Sequence, residues 1–138
     1  VKAVLDTNVV AALMKGDPRV VARLQSAKKT NVAIPQPVAA EIAFGLARLP
    51  RSKRRESLER AWGALAAEIP RMSWTDEVSE AFGRIKAGLE RVGRLLDDFD
   101  IAIAAHALAT GASLVTFNNR HMERVPGLPL EDWSGAGG

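Results

Sequence analysis

The stretch Ile101-Ala102-Ile103-Ala104-Ala105-His106-Ala107-Leu108-Ala109-Thr110-Gly111-Ala112-Ser113-Leu114-Val115-Thr116 decides the fold class. From Ile101 to Ala109 it is apolar or alanine on nearly every side except at His106, which predicts an internal helix packed closely through small residues. Gly111 is the residue type that ends such a helix, and Ser113-Leu114-Val115-Thr116 then reads as a short strand buried in a parallel sheet. Val4-Leu5 and Val32-Ala33-Ile34 are two more strands of the same kind. Helical patterns lie between them. Asp17-Pro18 reads as N-cap and first residue of a helix carrying Val21, Leu24 and Ala27 on one side. Pro37 opens another, running through Glu41 and Ile42 to about Leu49, where Pro50 prevents continuation. Ser52 starts a helix with Leu58, Trp62, Leu65 and Ile69 on its apolar face. After Pro70 and a short Met72-Ser73-Trp74 segment, Asp76-Glu77 open a helix whose buried stripe is Val78, Phe82, Ile85, Leu89 and Val92, ending near Gly93. Strands alternating with helices define an α/β fold, with a mainly parallel central sheet flanked by helices.

The chain has 138 residues, one domain's worth, with 47% hydrophobic and 25% charged residues, which excludes a disordered or fibrous protein. A single domain is expected over 1–133, with the glycine-rich 134–138 as a flexible tail. The absence of cysteine removes disulfides, thiolate zinc sites and a cysteine nucleophile together. No apolar run approaches the roughly 20 residues of a membrane span, and the start turns acidic at Asp6 too soon for a signal peptide, so a cytoplasmic protein without membrane contact is expected. Nineteen basic against sixteen acidic residues leave only +3, but five of the eight residues from Arg48 to Arg55 are basic. Arg48, Arg51, Lys53, Arg54 and Arg55 are either a solvated helix face or a contact for RNA phosphates or a protein partner.

The acids carry the chemistry. Asp6 directly follows the Val4-Leu5 strand, and ligands in open α/β sheets bind outside the carboxyl ends of strands. Asp6, Thr7 or Asn8 is equally a candidate cap for the next helix. Glu41 has Pro37, Val38, Phe44 and Gly45 as its helical neighbours, so its charge needs either an Arg or Lys, or a cation shared with other carboxylates. Asp97, Asp98 and Asp100 precede the Ile101 helix, whose dipole favours one acid and hardly calls for three. Asn118, just past the third strand, offers a neutral oxygen. Hard oxygen donors from four separated elements suit Mg²⁺ or Mn²⁺ rather than zinc. His106 is expected to be a packed core residue and His121 a loop residue.

Leu5-Asp6-Thr7-Asn8, Glu41, Asp100-Ile101-Ala102-Ile103-Ala104-Ala105 and Leu114-Val115-Thr116-Phe117-Asn118, in this order and at these separations, resemble the PIN-domain ribonucleases, and more narrowly the VapC toxins of bacterial type II toxin-antitoxin pairs. The segment from Gly127 to Trp133 resembles the family's closing strand and tryptophan, so the likeness spans nearly the whole chain. The resemblance implies a PIN-like α/β/α sandwich. It implies Asp6, Glu41 and Asp100 as the catalytic acids, with Asp6 and Asp100 ligating Mg²⁺ or Mn²⁺ and Glu41 reaching the metal or its water. Asn118 stands where many members carry a fourth acid. Thr7, Asn8 and Thr116 match polar positions that orient ligands or water, and Asp98 either assists from outside or caps the helix.

The implied activity is metal-dependent endoribonuclease cleavage of tRNA, rRNA or mRNA by a toxin that a cognate VapB-type antitoxin inhibits, with the toxin a homodimer and a larger assembly formed with antitoxin. Helices around Leu46, Leu49, Leu58 and Trp62 offer apolar surface for an antitoxin peptide. A non-catalytic RNA-binding or scaffold domain, or a PIN nuclease of RNA processing without an antitoxin, are the alternatives.

Overall fold

The strand β1 (Ala3–Leu5) is buried at all three positions because it lies at the centre of a five-stranded sheet of order β3-β2-β1-β4-β5. The computed structural model describes residues 1–135; residues 136–138 of the expected flexible tail lie outside the described residues. Its partners are β2 (Val32–Pro35), buried throughout, and β4 (Ser113–Val115), with β3 (Arg71–Met72) and β5 (Leu130–Glu131) at the edges. Every pairing is parallel: Ala3 faces Val32 and Ser113, Ile34 faces Arg71, and Leu114 faces Leu130. Apolar β-branched runs such as Val32-Ala33-Ile34 suit strands covered on both faces, and helices flank this sheet accordingly.

The crossovers between strands are helices α1 (Thr7–Met14), α2 (Pro18–Ser26), α3 (Gln36–Ala47), α4 (Lys53–Glu68), α5 (Asp76–Arg91) and α6 (Asp98–Thr110), with a short α7 (Asn119–Met122) before β5. Local chemistry fixes their starts. The side chains of Asp6, Asp17, Ser52, Thr75 and Asp97 each accept a hydrogen bond from a backbone N–H of the first turn of α1, α2, α4, α5 and α6. At the end of α6 Gly111 adopts φ +70°, a left-handed conformation in which a Cβ would be strained. Ile101 to Ala107 of α6 are all buried, which the alanine-rich sequence permits by letting α5 and the strands approach closely.

Four expectations are corrected. The short segment at Met72-Ser73-Trp74, to which the sequence assigns no element, begins in a strand: Arg71–Met72 pairs at the edge beside β2. Val92 is 66% exposed rather than part of the α5 stripe: the helix ends at Arg91, Val92 is its C-cap, and Ala81 joins Val78, Ile85 and Leu89 inside. The third helix ends at Ala47, before Leu49, with Arg48 as cap. On α4 no residue is fully buried; Trp62 and Leu65 pack only partly against the core, and Ile69, which is buried, lies one residue past the helix end. At the other terminus Trp133 is buried, and its indole N–H donates to Glu131 Oε1 at 2.9 Å. Ser134 N–H donates to Asp132 Oδ1 at 2.8 Å, so the chain is held one residue past the expected domain end. No helix among the described residues is long and apolar enough to cross a membrane.

Candidate active site

In the strand order β3-β2-β1-β4-β5 the chain path reverses between β1 and β4, and the carboxyl ends of these two strands form the crevice in which such sheets bind ligands. One hydrogen bond crosses it: Thr116 Oγ1, just past β4, donates to Asp6 Oδ2, just past β1, at 2.7 Å. Asp6 Oδ1 accepts from Thr7 N–H at 2.7 Å, so the residue is both the N-cap of α1 and a buried carboxylate aimed at the crevice. Burial pushes the Asp6 carboxyl above its ordinary range, and the Thr116 hydroxyl and Thr7 amide pull partly against that.

Helices that follow parallel strands start at the same edge of the sheet, which delivers the other two acids. Glu41, in the second turn of α3, accepts at Oε1 from Thr7 Oγ1 at 2.5 Å, so Thr7 couples Asp6 to Glu41 through its amide and its hydroxyl. Asp100, in the first turn of α6, has its carboxyl raised to about 6. Burial is the largest cause, followed by the negative charges of Asp6, Asp97 and Glu41, while His121 opposes them. Asp6, Glu41 and Asp100 therefore share one electrostatic environment. None of the three forms an ion pair among the described residues.

The other sequence-derived residues sort by geometry. Asn8 Oδ1 accepts from Phe117 N–H at 3.3 Å and ties the loop after β4 to α1. Thr116 Oγ1 also accepts from Asn118 N–H at 2.9 Å, and Asn118 Oδ1 lies 2.6 Å from His121 Nδ1. Asp97, not Asp98, caps α6, accepting from Phe99 N–H at 2.6 Å; Asp98 turns outward to Lys86 at 3.0 Å. His106 is fully buried, its Nδ1 2.8 Å from Ala102 O and its ring edge-on to Trp74, and burial lowers its pKa; it is remote in role from the acids. Of the basic run, Arg55 is occupied with Glu59 Oε1 at 2.7 Å and the Leu49 carbonyl at 2.9 Å. Arg48 and Arg54 line a cleft of about 270 Å³ between α1, α3 and α4 that has Thr7 and Glu41 at its edge. Arg51 and Lys53 are exposed and line no part of it.

Sequence reasoning passed over Lys15, which joins that cleft although Thr7, Ala11 and Lys15 recur every four residues on one helix face. It also passed over His121 as a neighbour of Asn118 and Asp100: the residue lies not in a loop, as expected, but in the single-turn α7, three residues after the N-cap Asn118. A second hollow, about 680 Å³, runs along α1 and α2 from Asn8 to Arg19 and includes none of the three acids.

The chain belongs to the PIN-domain family, whose model matches residues 3–128. Its relatives narrow the class to VapC ribonucleases. The chain is 32% identical to the tRNA(fMet)-specific endonuclease VapC of Shigella flexneri, over 96% of this chain and 98% of that protein. It is 30% identical to Ribonuclease VapC2 of Rickettsia felis, over 94% and 96% respectively. Among solved structures it superposes on DNA-bound VapBC from Salmonella typhimurium with a TM-score of 0.87 at 27% identity, covering 96% of this chain and 98% of that one. VapBC2 from Rickettsia felis bound to a promoter DNA fragment gives a TM-score of 0.86 at 26% identity, covering 96% and 99%.

Proposed function

We propose that this chain is the toxin of a VapBC-type toxin-antitoxin pair, an endoribonuclease that hydrolyses RNA phosphodiester bonds and is inhibited by a VapB-type antitoxin. The observation that carries the catalytic part is the set Asp6, Glu41 and Asp100 at the β1/β4 crevice, with Asp100 raised to about 6 by burial and by the other acids. Carboxylates assembled without a cation of their own are poised for one supplied from outside. The donor set is all oxygen, which fits Mg²⁺ or Mn²⁺. Among the described residues no group of three or more acid or histidine side chains is placed so that it could hold a metal ion, and the reading rests on the shared charge of the acids rather than on a formed cage.

Asp6 and Asp100 are the proposed direct ligands, with Glu41 reaching the ion or its water and Asn118 at the margin. When bound, the ion supplies charge for the phosphate oxygens in the transition state and lowers the pKa of water. The chain's own residues do the rest. Thr7 and Thr116 hold Asp6 at both oxygens, so its orientation is set before substrate arrives. Thr7 also fixes Glu41 at Oε1, leaving Oε2 without a hydrogen bond among the described residues and able to orient the attacking water and take its proton. Asn8 and the Asn118 N–H hold the β4 loop against the crevice. Of the basic run, Arg48 and Arg54 add positive potential beside Glu41 for RNA or antitoxin, with Arg51 and Lys53 exposed farther along and Arg55 paired with Glu59.

The VapBC complexes to which the chain is similar support a VapB antitoxin as partner, and the assembly we infer is a cytoplasmic homodimer of the single domain spanning 1–133. The test is incubation of purified protein with tRNA and with mRNA in Mg²⁺ or Mn²⁺, in excess chelator, and after metal is restored. Cleavage that disappears with chelator, returns with metal and stops on adding antitoxin supports the reading. RNA binding without cleavage under all these conditions returns the chain to a non-catalytic RNA-binding role.

A further inference from the structure

The cleft of about 270 Å³ between α1, α3 and α4 has Thr7 and Glu41 at one edge, apolar side chains such as Leu46 and Leu49 along it, and Lys15, Arg48 and Arg54 on its lining. Glu41 is the only acid in that lining. None of the three cations makes an ion pair among the described residues, whereas Arg19, Arg23, Lys29, Arg55 and Lys86 each hold a carboxylate. Beside it stands Phe44, one helical turn after Glu41 on α3 and 64% exposed, with the Arg48 guanidinium 5.5 Å from its ring centroid. An aromatic ring held open to water on the turn that follows a proposed catalytic acid is not explained by the core, which it does not join.

We propose that this cleft is the subsite for nucleotides flanking the scissile phosphate, with Lys15 and Arg54 holding backbone phosphate and the Phe44 ring, backed by Arg48, stacking a base. The inference rests on the ribonuclease reading above and assigns one side of the substrate path. Its occupant follows from charge and continuity. A polyanion lying on Lys15 and Arg54 reaches the site acids at Glu41 without leaving the cleft, and the unpaired cations favour phosphate over a basic peptide. Stacking on Phe44 uses a base face and carries little sequence preference, and a base enclosed in a duplex has no free face to offer. The cleft therefore selects an unpaired nucleotide rather than a particular base.

The test uses the full chain as wild type, the double variant Lys15→Gln/Arg54→Gln, Phe44→Ala, Phe44→Trp, and Arg91→Gln on exposed α5 as a control. All four substituted side chains are exposed, so each variant is expected to fold. A fluorescent single-stranded RNA and its fully paired duplex are the probes, read by dissociation constant against salt and by KM and kcat for metal-supported cleavage. The double variant should flatten the plot of log affinity against log salt by about 1.4, from roughly 0.7 per lost phosphate contact, and raise KM with little change in kcat. Phe44→Ala should weaken single-strand binding roughly fivefold or more at unchanged salt slope, Phe44→Trp should restore it, and duplex binding should respond to neither. Unchanged slope and KM in the double variant, with wild-type cleavage intact, overturn the subsite while leaving the ribonuclease reading standing. Variants that keep their RNA constants but escape antitoxin inhibition also overturn it and give the cleft to the antitoxin. If the wild type cleaves no RNA, the ribonuclease reading falls, and the salt slopes still decide whether the cleft holds phosphate.

Discussion

Replacing Asp100 by asparagine should make the metal-free protein more stable, although it removes a proposed catalytic group. Asp100 is held at about 6 against an ordinary value of 3.8, so folding opposes its ionised form. Each tenfold change in proton affinity corresponds to about 1.4 kcal/mol, which sets an upper bound near ~3 kcal/mol for the penalty at neutral pH. The carboxyl is only partly buried, and solvent screening reduces this to about 1–2 kcal/mol. The sign follows from proton uptake. Well below pH 3.8 the group is protonated in folded and unfolded chains alike and costs nothing. As pH rises from about 4 to 6 the unfolded chain releases the proton first, so stability falls, and above about 7 the penalty is complete. Asp100→Asn should therefore match wild type at pH 3.5 and exceed it by about 1–2 kcal/mol at pH 7.5, a rise of roughly 3–10 °C in melting temperature for a domain of this size. Urea denaturation in chelator across pH 3.5–8 measures it. Added Mn²⁺ should stabilise wild type strongly and the variant little, narrowing or reversing the difference. A gain that is the same at every pH, or a loss of stability at pH 7.5, would refute the claim that clustered negative charge strains this site.

Thr116→Val removes the hydroxyl that donates to buried Asp6 and accepts from Asn118 N–H, and should cost roughly 1.5–3 kcal/mol in urea denaturation at neutral pH. Asn118→Asp keeps an oxygen for His121 and adds a negative charge beside Asp100, so calorimetry should show tighter Mn²⁺ binding than in wild type, and Asn118→Ala weaker binding; equal affinities in all three would place residue 118 outside the site. Glu41→Gln retains an oxygen to accept from Thr7 Oγ1 but cannot take a proton, so kcat for RNA cleavage should collapse while circular dichroism and RNA affinity stay near wild type.

The elements most legible in the sequence are those whose burial is complete. Apart from His106, Ile101–Ala107 and Val32–Ile34 carry no polar residue, so period and composition agree on where they go. Asp6 is legible as a candidate because it directly follows a strand, and the capping role offered as the competing explanation does not exclude a crevice-facing carboxylate: one oxygen caps α1 while the other accepts from Thr116. Less legible was β3, two residues long, whose Arg71 and Met72 carry no strand pattern and which exists because β2 has an open edge. The apolar spacing of α5 extends past the helix to Val92, since hydrophobic periodicity does not mark where a backbone stops being helical. Between Asp97 and Asp98 composition is silent; only the cap geometry decides which carboxylate turns inward over the helix start. The cleft was the least legible feature. It gathers Lys15, Glu41 and Arg54 from three helices, and no local spacing reports a meeting set by how those helices pack.

The central claim is that Asp6, with Glu41 and Asp100, performs the cleavage, and single-turnover cleavage by Asp6→Asn in saturating Mn²⁺ tests it most directly. Asparagine at position 6 retains an oxygen to accept from Thr7 N–H and an amide to meet Thr116, so the fold and RNA affinity should be preserved. Loss of a partner that merely orients a metal ligand already costs roughly 10–100-fold, so loss of a ligand itself should cost more than about 100-fold. The account predicts a cleavage rate reduced at least that far, with wild type leaving 5′-phosphate and 3′-hydroxyl ends. A folded Asp6→Asn protein that cuts RNA at near wild-type rate, or wild-type products ending in a cyclic phosphate, would contradict it.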